Sequence, residues 1–179
     1  MKILVAYYSK SGAVEKAAKK IKDELVVQGH EVDLENISPK KERSSFAWRF
    51  SPKTEIQPLK IKNLSGYDRI ILGAPNWTMI PPPMKRYLSL VEGLKDKSVS
   101  LYSTTTLWPA IERYFFSAYL LLMSFNKEIN RKGGRLDEFV LLLRGRIDSI
   151  KSDRVIREFC HSLVSKDRRL RANIIKKRE

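Results

Sequence analysis

The chain has 179 residues, enough for one domain with a full core. Its 42% hydrophobic and 31% charged content describes a globular protein, and no stretch reaches the ~18 apolar residues that a spanning helix needs. The single cysteine, Cys160, excludes an internal disulfide and fits a reducing, cytoplasmic compartment. The net charge of +15 favours an anionic ligand, nucleic acid or an anionic membrane surface, against the plainer reading of a Lys-rich surface with no specific partner.

In chain order, Ile3 to Tyr7 predicts a strand buried on both faces. The run from Lys2 is too short for a signal peptide and is interrupted by Lys10. Ser9, Lys10, Ser11 and Gly12 then form a small polar loop that opens directly into a helix. Val14, Ala17, Ala18, Ile21, Leu25 and Val26 trace one face of that helix, which Gly29 ends. Such a strand–turn–helix offers unpaired backbone N–H groups and the positive end of a helix dipole to an anion. Ser9 and Ser11 add hydroxyl donors, and Gly12 can take dihedrals that other residues avoid. The loop is not a Walker motif, because no Gly-Lys-Ser/Thr ending follows.

Glu31 to Glu35 alternates, with Val32 and Leu34 on one side, and predicts a half-exposed strand near an edge. Residues 38–64 read as an irregular excursion punctuated by Pro39, Pro52 and Pro58 and charged by Lys40, Lys41, Arg43 and Arg49. Phe46, Trp48 and Phe50 alternate within it and either pin the excursion to the body or form a pad over a ligand or subunit contact.

Arg69 to Ala74 predicts a second buried strand, leading into Pro75, Asn76, Trp77, Thr78 and Met79. One of Pro81, Pro82 and Pro83 opens the next helix, since proline is tolerated in a first turn. Ser98 to Tyr102 predicts a core strand followed by a loop containing Thr104, Thr105, Thr106, Leu107 and Trp108. Ile111, Tyr114, Phe115, Ala118, Leu121, Leu122, Phe125 and Ile129 form an apolar helical stripe, stopped by Gly133-Gly134. Leu136 to Leu143 predicts a last strand, and Arg154 to Val164 a last helix with Cys160 inward as a core thiol. Residues 166–179 read as a basic tail, a frayed helix outside a single domain spanning 1–165.

Strands alternating with helices predict an α/β fold with a parallel sheet covered on both faces. Five strands suit the doubly wound order 2-1-3-4-5, with ligands at the carboxyl ends of the strands around the switch point. Three loops gather there: Ser9–Ala13, Pro75–Ile80 and Ser103–Pro109. Two tryptophans beside a phosphate nest suit a planar, phosphorylated ligand. His30 and His161 are the only histidines, which leaves too few nitrogen ligands for a metal site. No serine has an evident base beside it, and no RNA-binding or helix-turn-helix signature accompanies the basic tail, so neither hydrolysis nor nucleic-acid binding is expected.

Tyr8-Ser-Lys-Ser-Gly12 before an amphipathic helix resembles the phosphate loop of flavodoxins. Leu64 to Pro75, with Trp77, Ile80 to Lys85 and Leu88, resembles the third strand and following loop of flavodoxins and of flavodoxin-like quinone and FMN reductases. The resemblance implies non-covalent FMN. By it, Ser9, Lys10, Ser11, Gly12, Ala13 and Val14 would hold the phosphate. Pro75, Asn76, Trp77, Thr78 and Met79 would flank the isoalloxazine, with Trp77 the stacking ring, and Thr104 to Trp108 would form the other wall.

The chain departs from the family at Ala13 and Val14, where Asn and Thr are usual, so two side-chain hydrogen bonds to the phosphate are missing. It is also basic where electron-shuttling flavodoxins tend to be acidic. The implied function is a redox protein that reduces quinones or small acceptors with NAD(P)H, or carries electrons to an acidic redox partner. The alternative is a flavodoxin-like domain whose FMN site is weakened or lost and which serves as a binding or assembly module for acidic partners. The 46–50 segment and the long helix are candidate homo-oligomer surfaces.

Overall fold

The computed structural model describes residues 1–42, 54–106 and 111–176, with the backbone alone for 111–115 and 167–176. Phe46, Trp48, Phe50, Leu107 and Trp108 lie outside the described residues. The elements in chain order are β1 (Lys2–Tyr7), α1 (Ala13–Val27), β2 (Glu31–Asn36), β3 (Arg69–Pro75), α2 (Pro82–Leu90), β4 (Ser98–Thr105), α3 (Ile111–Arg131), β5 (Arg135–Leu143), a 3-10 turn (Arg144–Arg146) and α4 (Ile150–Lys176). The five strands form one parallel sheet in the order β2-β1-β3-β4-β5, as the alternation of strands and helices predicts.

Each face of the sheet carries its own core. Leu4, Ala6, Ile70, Leu72, Val99 and Leu101 point to one side, where Met84, Tyr87 and Leu88 of α2 and Leu121, Phe125 and Ile129 of α3 cover them. Ile3, Val5 and Ile71 point to the other, under Val14, Ala17, Ile21 and Leu25 of α1 and Ile156, Phe159, Cys160 and Leu163 of α4. Burying each such aliphatic or aromatic side chain contributes about 1.5–3 kcal/mol, so the two layers clamp the strands from both sides. Cys160 is a core thiol, fully buried, and burial pushes its pKa up to about 12. Among the described residues, no helix is long and apolar enough to cross a membrane.

Most predicted boundaries move by one residue, among them β3, which takes in Pro75, and two move further. The last helix starts at Ile150 rather than Arg154 and runs unbroken through most of the predicted helical tail to Lys176. Its early start follows from Ser149, whose Oγ accepts the Ser152 N–H at 3.3 Å. Strand β4 extends through Thr105, so Thr104 and Thr105 are strand residues paired with Leu142 and Leu143, not loop. Ser103 makes this extension tolerable by donating its buried Oγ–H to the Ala74 carbonyl at 2.8 Å.

The edge position of β2 matches its alternating pattern, yet Glu35 points inward and is only 3% exposed. The end of the 38–64 excursion covers it, and the Lys60 N–H donates to its Oε1 at 3.0 Å. Desolvation raises the Glu35 pKa, partly offset by the backbone hydrogen bonds from Lys60 and Ile61. The described ends of the excursion pair with each other, through Lys40 N–H to the Glu55 carbonyl and Gln57 N–H to the Ser38 carbonyl.

The amino end of the sheet is closed by polar contacts. Arg69, fully buried, donates from Nη1 to both carboxylate oxygens of Asp137, at 3.0 and 2.9 Å, and to Ser100 Oγ. Lys97 Nζ donates to the carbonyls of Ser65 and Tyr67, and Lys132 Nζ to those of Ser89 and Val91. Helix C-termini and strand starts meet here, and these cations satisfy carbonyls that would otherwise lack partners.

Candidate functional site

At the opposite, carboxyl end, the chain leaves β1 at Tyr7 and turns into α1 within five residues. Gly12 makes that turn possible. It is the N-cap of α1 with φ +80°, a left-handed conformation that costs glycine nothing. A glycine cap has no side chain to accept a hydrogen bond, and the first helical bond runs from Lys16 N–H to the Gly12 carbonyl at 2.9 Å. The N–H groups of Ala13, Val14 and Glu15 therefore precede the helical ladder and face the turn with the positive end of the dipole. Ser9 Oγ is buried beside this turn with no hydrogen-bond partner among the described residues. Ser11 and Lys10 are exposed.

Ala13 and Val14 project into the core against α4, 7% and 2% exposed. Their side chains supply no polar atom to the turn; their backbone N–H groups do. The start of α1 is braced from below by Tyr102, which donates its hydroxyl to the Val14 carbonyl at 3.1 Å. Tyr102 reaches that carbonyl by lying across Gly73, where a Cβ would stand 2.1 Å from the ring. Glycine in the middle of β3 is thus required by the element that holds the turn in place.

The second predicted segment, Pro75 to Met79, stands beside the first. Tyr8 packs edge-on against Trp77 with ring centroids 5.7 Å apart, and Lys10 Nζ lies 5.9 Å over the Trp77 ring. Trp77 is half-buried against the core, so part of the ring surface assigned to stacking already has protein neighbours. Thr78 has φ +72°, a strained conformation for a β-branched residue, and Met79 is exposed. Asn76 organises this loop. Its Oδ1 accepts the Thr78 N–H at 3.3 Å, its backbone N–H donates to the Thr104 carbonyl, and its Nδ2 donates to Ser117 Oγ at 3.0 Å.

Ser117 and Ser124 of α3 were not singled out from the sequence. They lie seven residues apart, two helical turns, and so share a face that meets the loop. Ser124 Oγ accepts the Ile80 N–H at 3.0 Å. The available signal was this pair of serines at heptad spacing within the otherwise apolar run 114–125.

Of the third predicted segment, Thr104 and Thr105 are buried in β4 and only Thr106 is exposed among the described residues. Thr104 nevertheless touches the site through its carbonyl, which accepts the Asn76 N–H. Leu107 and Trp108 fall outside the described residues.

A cleft of about 340 Å³ opens on the α4 side of the turn, lined by Ser11, Gly12, Ala13 and Lys16 on one wall and residues 144–149 on the other. Arg144, Arg146 and Asp148 in that second wall were also missed from the sequence. Lys16 pairs with Asp148 across the cleft at 2.9 Å, and that contact lowers the Asp148 pKa. Lys20 pairs with Asp153 at 2.6 Å one turn further down. These accessible pairs contribute little stability; the apolar contacts of α1 with α4 set how the two helices face each other.

Comparison with known proteins adds the fold family. No protein-family model and no curated protein matches the chain. Solved structures do. Oxidised flavodoxin 2 from Bacillus cereus aligns with TM-score 0.62 and 21% identity, over 93% of this chain and 99% of that one. A flavoprotein from Lactobacillus acidophilus NCFM, solved in complex with FMN, aligns with TM-score 0.60 and 21% identity, over 84% and 98%. A flavodoxin from the domain Archaea aligns with TM-score 0.60 at 12% identity, over 94% and 99%. The fold is flavodoxin-like.

Proposed function

We propose that the protein binds FMN non-covalently at the carboxyl end of the sheet and uses it as a redox centre. The observation that carries this reading is the start of α1, where a left-handed Gly12 leaves first-turn N–H groups without a side-chain cap. The flavodoxin-like fold, with an FMN complex among its solved neighbours, supports the same reading. The residues present fit the phosphate end of the group: backbone N–H groups of residues 13–15, the unpartnered Ser9 Oγ and the cations of the adjoining cleft. The loop of Trp77, held by Asn76, Ser117 and Ser124, would flank the ring system. Thr104 would fix the loop through its carbonyl, and Thr106 would stand at the opposite rim.

Bound FMN supplies reversible electron transfer, and the protein's part is to hold it, shield it and set its potential. Lys10, Lys16, Arg144 and Arg146 surround the candidate site with positive charge, which stabilises an anionic reduced flavin. A raised reduction potential follows. The overall charge suits an acidic redox partner as electron donor or acceptor, with NAD(P)H and a small acceptor such as a quinone as the enzymatic form of the same chemistry.

The test is titration of flavin-free protein with FMN at low and high salt, followed by NAD(P)H oxidation with a quinone acceptor. Saturable one-to-one binding that survives salt is expected. NAD(P)H turnover identifies a reductase, and tight FMN without turnover identifies a carrier. The rival reading, an assembly module without flavin, draws on the apolar Ala13 and Val14; absence of FMN binding by folded protein selects it.

A further inference from the structure

Resting on that reading, we propose that Arg144 and Arg146 grip the flavin's phosphate from the β5–α4 turn, replacing the hydroxyl and amide side chains that Ala13 and Val14 do not supply. Four observations converge on this pair. The cleft between the start of α1 and residues 144–149 is a cavity of about 340 Å³, room for a phosphate and its solvent. Its lining carries three cations, Lys16, Arg144 and Arg146, against one carboxylate, Asp148. That carboxylate is already engaged by Lys16 at 2.9 Å. Arg144 and Arg146 are exposed, and no ion pair engages either guanidinium among the described residues.

The two helix starts that border the cleft are not equivalent. The start of α4 is closed by its own residues: Ser149 Oγ accepts the Ser152 N–H, and Ser152 Oγ donates to the Arg146 carbonyl at 2.6 Å. The start of α1 has a glycine cap and no side-chain hydrogen bond. An anion in the cleft therefore finds its open backbone donors on α1 and, on the opposite wall, guanidinium groups that no described residue engages in an ion pair.

The backbone of that wall is fixed. Ile147 is 2% exposed and anchored in the core beneath α1 and α4, and the Arg146 carbonyl accepts from Ser149 N–H, Ser149 Oγ and Ser152 Oγ. The 3-10 turn thus projects two arginines from a rigid base. Arginine is suited to this role, since its planar fork matches phosphate oxygens and keeps its charge at any working pH. The arrangement differs in kind from a neutral nest of N–H and hydroxyl donors. It predicts strong discrimination between phosphorylated and unphosphorylated flavin, and an FMN affinity that salt reduces without abolishing.

The experiment compares FMN with riboflavin on the full chain, by flavin fluorescence at low salt. Wild-type protein is expected to prefer FMN over riboflavin by about a hundredfold, near tenfold for each charge-assisted contact. Arg144→Gln/Arg146→Gln should lose most of that preference while riboflavin affinity and melting temperature stay unchanged. Lys95→Gln/Lys127→Gln, which removes the same charge from exposed sites on other elements, should keep the preference. Retention of the FMN preference in the arginine variant overturns the assignment, as does an equal loss in the lysine control. If wild-type protein binds neither flavin, the FMN reading itself fails, a result distinct from either of these.

Discussion

The two ends of the sheet are built on opposite principles. At the amino end, Arg69 Nη1, Asp137 and Ser100 bond one another in the interior, with Arg69 Nε and Nη2 buried and without a partner among the described residues, and Lys97 and Lys132 cover the last carbonyls of neighbouring segments. At the carboxyl end, α1 starts without a side-chain cap, Thr78 is held at positive φ, and, among the described residues, Ser9 Oγ is buried without a partner and Arg144 and Arg146 carry no ion pair. Both ends are rich in cations. They differ in whether the arginine charges are paired: Arg69 has the Asp137 carboxylate, and Arg144 and Arg146 have none among the described residues. We read charges paired within the fold as the mark of a structural end, and charges held in place yet unpaired as the mark of a binding end.

The largest effect should come from breaking the structural end. Arg69→Met leaves the nearly buried Asp137 carboxylate without its cation, and loss of a buried partner costs about 3–5 kcal/mol. Denaturant unfolding should show that loss, with FMN affinity of the remaining folded protein unchanged. Adding Asp137→Leu should recover most of the stability, because it removes the stranded charge. A drop in FMN affinity with Arg69→Met would blur the contrast between the two ends.

Next in size is Gly73→Ala. Its Cβ would overlap the Tyr102 ring, and overpacking of this kind costs about 1–3 kcal/mol. Because Tyr102 braces Val14, this variant should also weaken FMN binding, linking core packing to the open end. Tyr102→Phe isolates the brace. It keeps the ring and removes one buried hydrogen bond, for a loss of about 1 kcal/mol by thermal or chemical unfolding.

The smallest effect is a pH dependence at β2. Glu35 has a raised pKa in the folded protein, chiefly through desolvation, so the folded state holds its proton more tightly than the unfolded chain. Its contribution is present at acid pH, below the ordinary value near 4.5, and is lost as pH rises through the folded pKa. Glu35→Gln should flatten that fall and gain stability on its alkaline side while changing little at acid pH. Melting temperatures measured across pH 4 to 8 on the order of the carboxylate range check this directly.

The strand order was legible because Ile3 to Tyr7 and Ile70 to Ala74 are apolar on both faces, as suits a parallel sheet covered on both sides. The turn before α1 was legible because small polar residues and glycine between a strand and a helix have few other uses. Thr104 and Thr105 were misplaced in a loop because a Ser-Thr-Thr run looks solvated, and the bond from Ser103 to the Ala74 carbonyl is a tertiary fact. Glu35 looked outward-facing for the same reason: its cover arrives from residues far along the chain. Arg144 and Arg146 carried no periodic signal at all. Their meaning lies in facing the start of α1, some 130 residues earlier in the chain, a relation only the topology creates.

The most direct measurement is a backbone amide NMR titration of ¹⁵N-labelled protein with FMN. The account predicts saturable shifts at Ser9 to Lys16, Asn76 to Met79 and Arg144 to Ser149, with Arg69, Lys97 and Asp137 at the amino end unmoved. Shifts centred on the amino end, or none at all while the spectrum stays folded, would contradict it.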